Sequence, residues 1–337
     1  MSTAKTQQAA QATGVTEQAP RLQIRWQQFM IFGALIVLII AFSIASPNFL
    51  TVSNAGGIML AAAVTGILAL GTSFVIATGG IDLSVGTTMT LVSVMLAVFG
   101  TSNYLGLPFV VAVVLALVFG ALLGLLVGFF VAHLGIPPFI ATLAMMMATQ
   151  GASLIITGST PQYFTEIDGF RNLATGQLIP KLPNAVLIFL VLAVVAWFLM
   201  NKTLIGRYAV SIGSNEEATK ISGVNTRRWK LYIYLTAFVF TAIAGVLMAS
   251  RLNSAQPALG PGYELEAIAA VVIGGTSLAG GRASIIGTVV GATLMATLNN
   301  GLQILGIAQE WQRIAVAVVI IIAVWADTVR RRRSGEA

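Results

Sequence analysis

The chain has no cysteine and one histidine, and only 9% of its 337 residues are charged. Without cysteine there is no disulfide, no thiolate metal site and no cysteine nucleophile. The lone histidine, His133, stands beside Gly135, Ile136, Pro137 and Pro138 at an expected helix end. One histidine builds neither a metal centre nor a proton relay, so an interfacial structural role is its reading. A soluble domain carries roughly 25% charged residues. A chain with 9% cannot cover a globule of this size with a wetted surface. What it has instead is apolar: 57% hydrophobic residues and a mean hydropathy of +0.91. A bilayer is the natural solvent for that surplus.

A helix needs about 20 apolar residues to cross the hydrocarbon. Segments of that kind fall at 29–45, 55–78, 109–132, 139–157, 185–200, 231–250 and 285–305, with the more polar 83–99 and 311–326 beside them. A tenth, 267–278, is too short for a straight crossing; it either extends back to Tyr263 or is a broken or half-spanning segment. The expected architecture is an all-α polytopic membrane protein with about ten transmembrane helices. Residues 1–28, rich in Gln, Ala and Thr up to Gln23, read as a disordered cytoplasmic tail. Residues 29–327 form the membrane domain, and 328–337 a basic cytoplasmic tail.

The net charge of +7 would suit nucleic acid, but its placement suits membrane orientation. With the N-terminus inside and ten crossings, fourteen of the eighteen basic residues fall on the cytoplasmic side. Only Arg171, Lys181, Arg251 and Arg313 fall opposite. That asymmetry predicts an N-in, C-in topology and no nucleic-acid partner. Trp26, Trp197, Trp229, Trp311 and Trp325 fall at expected helix ends, as interfacial aromatics do.

Two connections are long. Residues 158–183 lie outside, and 201–230 lie inside and read as a short amphipathic helix between basic flanks. Gly120, Gly124 and Gly128 share one helix face and permit close packing, within the bundle or against a second copy. Gly275 to Arg282 resembles a phosphate loop only superficially, because Gly-Arg-Ala stands where Gly-Lys-Ser/Thr is needed. A tight turn is the better reading, and the chain is expected to bind no ATP itself.

Acids occur at segment edges: Asp82, Glu264, Glu266, Glu310 and Asp327. Neutral polar residues occur within the segments, among them Thr65, Thr142, Asn299 and Asn300. Such a lining suits a neutral, hydrogen-bonding solute better than an ion. Interhelical hydrogen bonding is the plainer role for any single Ser or Thr. Asp82 and Ser84, in the run Gly79 to Gly86, sit at a turn and helix start, where capping competes with a place at the mouth of a pathway. The pathway candidates are therefore Asp82, Ser84, Thr142, Asn299 and Asn300.

Several stretches, in order along the chain, resemble the permease subunits of ribose-type carbohydrate ABC importers. They are 46–49 (SPNF), 79–86 (GGIDLSVG), 139–143 (FIATL), 206–208 (GRY), 213–218 (GSNEEA), 222–224 (SGV), 251–257 (RLNSAQP), 262–270 (GYELEAIAA), 274–281 (GGTSLAGG) and 299–301 (NNG). The resemblance covers the chain from about residue 46. It implies a permease of the cobalamin-importer type in the bacterial inner membrane. It also implies a cytoplasmic ABC ATPase that binds the ATP, a periplasmic or extracellular sugar-binding protein, and a second permease copy in the surrounding lipid. The inside loop would dock into the ATPase through Gly213, Asn215, Glu216, Glu217, Ala218, Ser222 and Gly223. A secondary carrier or facilitator for a neutral solute, with no ATPase, is the alternative. A membrane enzyme lacks any constellation of nucleophile, base or metal.

Overall fold

The computed structural model describes residues 26–334. Of the tail expected over 1–28, residues 1–25 lie outside them, and 26–28 instead open the first helix. The helices are α1 (Trp26–Ala45), α2 (Val52–Ala77), α3 (Val85–Gly100), α4 (Phe109–Ala132), α5 (Pro138–Thr157), α6 (Asn172–Thr175), α7 (Asn184–Lys202), α8 (Leu204–Ser214), α9 (Glu216–Ile221), α10 (Thr226–Leu252), α11 (Tyr263–Ile273), α12 (Ile285–Ile304) and α13 (Gln309–Ser334). Among the described residues, six helices are long and apolar enough to cross a membrane: α2, α4, α5, α7, α10 and α12. The stretch Ile31–Ala45 of α1 and the helix α3 are shorter apolar segments. Each of the ten segments expected from the sequence contains a helix, but the one expected at 267–278 is displaced: α11 covers Tyr263–Ile273, and 274–278 is turn and irregular chain. The last of the ten, α13, continues through Ser334, so no helix end marks the start of the basic tail.

α2 is the hub, with every residue from Ala62 to Ala77 buried. Around it pack α7, α10, α11 and α12. A helix apolar all round is what a bundle interior demands, because its own backbone bonds are satisfied and only its side chains must fit. α4 shows how one helix serves both environments. Its small residues Ala112, Ala116, Gly120, Gly124 and Gly128 recur every four positions and are buried, while Val114, Val118, Leu122 and Leu126 face outward. The glycine face lies on α10: a Cβ on Gly124 would come within 2.5 Å of the Phe238 Cβ, and one on Gly120 within 2.6 Å of the Ala242 Cβ. The close packing expected of these glycines is thus made inside the chain.

Polar side chains mark the helix starts. Thr51, Asn215, Asn225 and Ser284 each accept a bond from a backbone N–H in the first turn of α2, α9, α10 and α12. Such caps contribute about 1 kcal/mol each. A feature with no signal in the sequence is a short sheet: β1 (Gln162–Tyr163) pairs antiparallel with β2 (Ser254–Ala255). This pairing ties residues 158–183 to the end of α10, over buried Phe164 and Phe170. The bundle therefore has a hairpin end and, opposite it, a loop end carrying α8 and α9. The expectation of one amphipathic helix within 201–230 is corrected to these two, separated at Asn215, whose side chain caps the second.

Candidate functional site

The loop end is built on glycine. α8 reaches across the end of α2, so that a Cβ on Gly213 would lie 2.0 Å from the Ala77 carbonyl oxygen and 2.6 Å from the Gly281 nitrogen. The Gly281 N–H donates to Ala77 O at 3.0 Å. A Cβ on Gly280 would meet the Gly79 nitrogen at 2.7 Å and the Gly213 Cα at 2.8 Å. The turns at 79 and 280–281 and the end of α8 at 213 are thus clasped backbone to backbone. Gly275, Gly280 and Gly281 have φ of +92°, +84° and +75°. The turn therefore has the left-handed geometry expected of it.

The loop itself divides into an anchored and a free face. Glu216 turns inward: its carboxylate pairs with Lys230 at 2.7 Å, accepts from Thr226 Oγ1 at 3.2 Å and stands 3.7 Å from Lys220. Burial pushes this carboxyl up, but Lys230, Lys220 and Thr226 together outweigh it and hold it below the usual glutamate range. Glu217 turns outward onto Lys220 at 2.8 Å. Asn215 Oδ1 accepts from the Ala218 N–H, and Gly223 ends the element at φ +85° with open space around it. Ala218, Ser222 and Gly223 are exposed. Ile221, which the sequence reading passed over, is 86% exposed. A lone aliphatic side chain among polar neighbours gives no signal in sequence, and its value lies in its exposure.

The five pathway candidates fall into two groups. Asp82, Ser84 and Thr142 meet at the turn before α3. Asp82 Oδ1 accepts from the backbone N–H of Ser84 at 2.8 Å and from its hydroxyl at 2.7 Å. Thr142 Oγ1 donates to the Ile81 carbonyl at 3.1 Å and so pins α5 to the turn. Ser84 occupies the N-cap position of α3 but makes no side-chain cap bond. Asp82 instead closes a turn on Ser84, and its other oxygen has no protein partner.

Asn299 and Asn300 belong to the second group, on α12. Asn300 Nδ2 donates to Asn54 Oδ1 at 2.9 Å, and Asn299 Nδ2 donates to Glu266 Oε1 at 2.9 Å. Thr65 Oγ1 donates to the second oxygen of Glu266 at 3.5 Å. Glu266 and its neighbour Glu264 are the residues the sequence reading undervalued. They stand at a segment edge in sequence, but α11 begins inside the bundle. Glu264 is only 7% exposed, and its Oε2 lies 2.6 Å from where a Cβ on Gly86 would be. The start of the helix is thus not the edge of the bundle. No group of three or more His, Cys, Asp or Glu side chains able to hold a metal occurs among the described residues.

Comparison with known proteins agrees with this architecture. Residues 54–324 match the family model described as branched-chain amino acid transport system / permease component. The chain is 41% identical to the ribose import permease protein RbsC of Escherichia coli strain K12, over 88% of this chain and 92% of that protein. It is 41% identical to the RbsC of Bacillus subtilis strain 168, over 88% and 91%. It is 33% identical to the xylose transport system permease protein XylH of Escherichia coli strain K12, over 91% and 93%. No solved structure matches it. A model match across most of the bundle, with relatives alike along almost their whole length, establishes that the chain belongs to this family of transport-system permease components.

Proposed function

We propose that this multi-pass protein of the bacterial inner membrane is the permease subunit of an ABC importer for a ribose-like monosaccharide. The observation that carries the reading is the 41% identity to ribose import permeases over 92% of their length. The chain catalyses no covalent change. A separate cytoplasmic ATPase binds the ATP, a soluble sugar-binding protein delivers the solute, and two copies of this chain enclose the pathway within the lipid. ATP-driven closure of the ATPases moves α8 and α9 and switches which side is open.

The topology is N-in, C-in with ten crossings: α1, α2, α3, α4, α5, α7, α10, the segment ending in α11, α12 and α13. Supporting it, Lys202, Arg207, Lys220, Arg227, Arg228, Lys230 and Arg282 gather at the loop end, which is then cytoplasmic. Arg171, Lys181, Arg251 and Arg313 lie at the hairpin end. The free face of the loop, Glu217, Ala218, Ile221, Ser222 and Gly223, docks into the ATPase, and the Gly213 clasp carries the motion into the bundle.

The test is uptake of labelled ribose into vesicles holding this chain and its ATPase, with binding protein outside and ATP inside. Uptake is expected only with all three proteins and ATP. Uptake by this chain alone would support a carrier without an ATPase instead. Transport of a branched-chain amino acid but no pentose would overturn the sugar assignment.

A further inference from the structure

The eighth helical segment, α11, is only eleven residues long, about 16 Å, half of a hydrocarbon core of about 30 Å. The rest of that crossing is not helical. α10 ends at the hairpin end, and the chain turns back through β2 into an irregular stretch of turns, 256–262. Gly260 reaches the start of α3: a Cβ there would stand 2.6 Å from the Gly86 carbonyl oxygen and 2.8 Å from the Thr87 Cα. Fourteen residues of helix, about 21 Å, separate Gly86 from Gly100 at the hairpin end. α11 then completes the crossing antiparallel to α12. Gly291 there abuts the Ala270 carbonyl, and Gly287 the Gly274 carbonyl.

This stretch is not wholly enclosed. Ala258, Pro261 and Leu265 are exposed. Irregular backbone does not face lipid at this depth, because its unpaired N–H and C=O groups would cost several kcal/mol each; it occurs where protein buries it or where it lines water. Polar groups on α2 form a row that reaches α11 at Glu266. Asn54, Thr65 and Thr72 are spaced by eleven and seven residues, which places them on one face of α2. Asn54 meets Asn300, and Thr65 meets Glu266 and through it Asn299. At the two ends of the row, Asn300 Oδ1 and the fully buried Thr72 hydroxyl have no protein partner. The donors on Glu266 are neutral, and they fill two of the roughly four acceptor sites of a carboxylate.

We propose that residues 256–266 wall the water-filled sugar pathway, and that Glu266, braced by Thr65 and Asn299, accepts hydrogen bonds from adjacent hydroxyls of the passing monosaccharide. This rests on the sugar-permease reading above. A polyol offers several O–H donors and no charge, so an acceptor-only group held by neutral neighbours complements it, and a protonated or cation-paired one would not.

The absence of cysteine makes the test direct. Single substitutions Ala258→Cys, Pro261→Cys and Leu265→Cys are placed in the complete importer, with Val194→Cys on the outward face of α7 as the lipid control. A charged, membrane-impermeant thiol reagent is expected to modify the first three and not the fourth. Ribose delivered by its binding protein is expected to slow modification at Leu265→Cys. Adding Glu266→Gln should leave the sugar-free rate unchanged and weaken that protection about tenfold, with Glu266→Asp intermediate. Modification at none of the three positions, whether lipid or a second copy covers them, would overturn the proposal. So would undiminished protection in Glu266→Gln. The unsubstituted importer serves as the reference: if it carries no sugar, the permease reading itself fails.

Discussion

The α4–α10 seam and the α3–α11 junction both depend on glycine, but to opposite ends. Along the seam, Gly120, Gly124 and Gly128 let two unbroken helices lie side by side over several turns. Each helix satisfies its own backbone, and the contact gains by summed packing. At the junction, Gly86 and Gly260 bring irregular chain against a helix start, and Gly79, Gly213, Gly280 and Gly281 clasp two turns and the end of α8 beneath it. Here backbone meets backbone, buried acids need donors, and little apolar surface is gained. The seam is a device for stability. The junction holds a close backbone-to-backbone arrangement beside the seam and the α2 hub, between the α8–α9 loop and the irregular stretch before α11. Motion belongs where there are turns to rearrange, not where ridges of side chains interlock.

The largest effect that sharpens this contrast is expected at the clasp. Gly213→Val puts a branched side chain onto the Ala77 carbonyl and the Gly281 amide, both backbone groups that cannot step aside. ATP-driven uptake should fall by roughly a hundredfold or more while the protein still inserts, since a shift of an interface of this kind is all or none. Gly56→Val, with open space around its Cβ position, serves as control. Uptake within twofold of normal in Gly213→Val would break the contrast.

Next comes the seam. Gly124→Leu should destabilise the bundle by about 1–3 kcal/mol through overpacking against Phe238. It would be seen as a lower Tm and a lower folded yield in detergent. Uptake per folded molecule should be near normal. Loss of specific uptake with an unchanged Tm would place function in the seam and dissolve the distinction.

A smaller effect is expected on the free face of the loop. Ile221→Glu should weaken ATPase binding about tenfold, the range expected when an exposed anchor is lost from an interface. Glu217→Arg should have less effect, because its side chain is well solvated. Titration of the labelled ATPase onto the permease reads both, and equal affinities for Ile221→Glu and the unsubstituted chain would move the docking surface elsewhere.

The smallest effect is in pH. Glu216 is held below its ordinary value of 4.5 in the folded loop. Its ion pair with Lys230 therefore contributes fully above that value and is lost as pH falls through the lower, folded one. The gain is modest, since the group is partly solvated. A spin label at Ser222→Cys should become more mobile only below about pH 4.5, and Glu216→Gln should show that mobility at neutral pH. Mobility that changes near pH 6 would implicate another group.

Much of this fold was legible in the sequence, because membrane segments announce themselves by length and hydropathy. The glycine face of α4, the left-handed turn at 275–281 and the brevity of α11 could all be read directly. The two helices α8 and α9 could not, since Asn215 both ends one and caps the next. Neither could the short β pairing, which depends on contacts between residues some ninety positions apart. The site was half legible. Asn299 and Asn300 stood out as amides in apolar surroundings, and Asp82 and Ser84 as a turn. Glu266 did not, because its meaning lies in Thr65 and Asn299, brought to it from 201 and 33 residues away. Glu216 looked like a docking charge in sequence, and the structure turns it onto Lys230.

The central claim, a static seam and a moving junction, is tested most directly by distances in the reconstituted importer. One spin-label pair, at Leu122 and Leu252, spans α4 and α10; another, at Ile221 and Leu265, spans the loop and the broken crossing. Both are measured with the ATPase open and with it trapped closed on a nucleotide analogue. The account predicts an unchanged distance for the first pair and a shift of about 2 Å or more for the second. A shift across the seam, or none between loop and crossing, would contradict it.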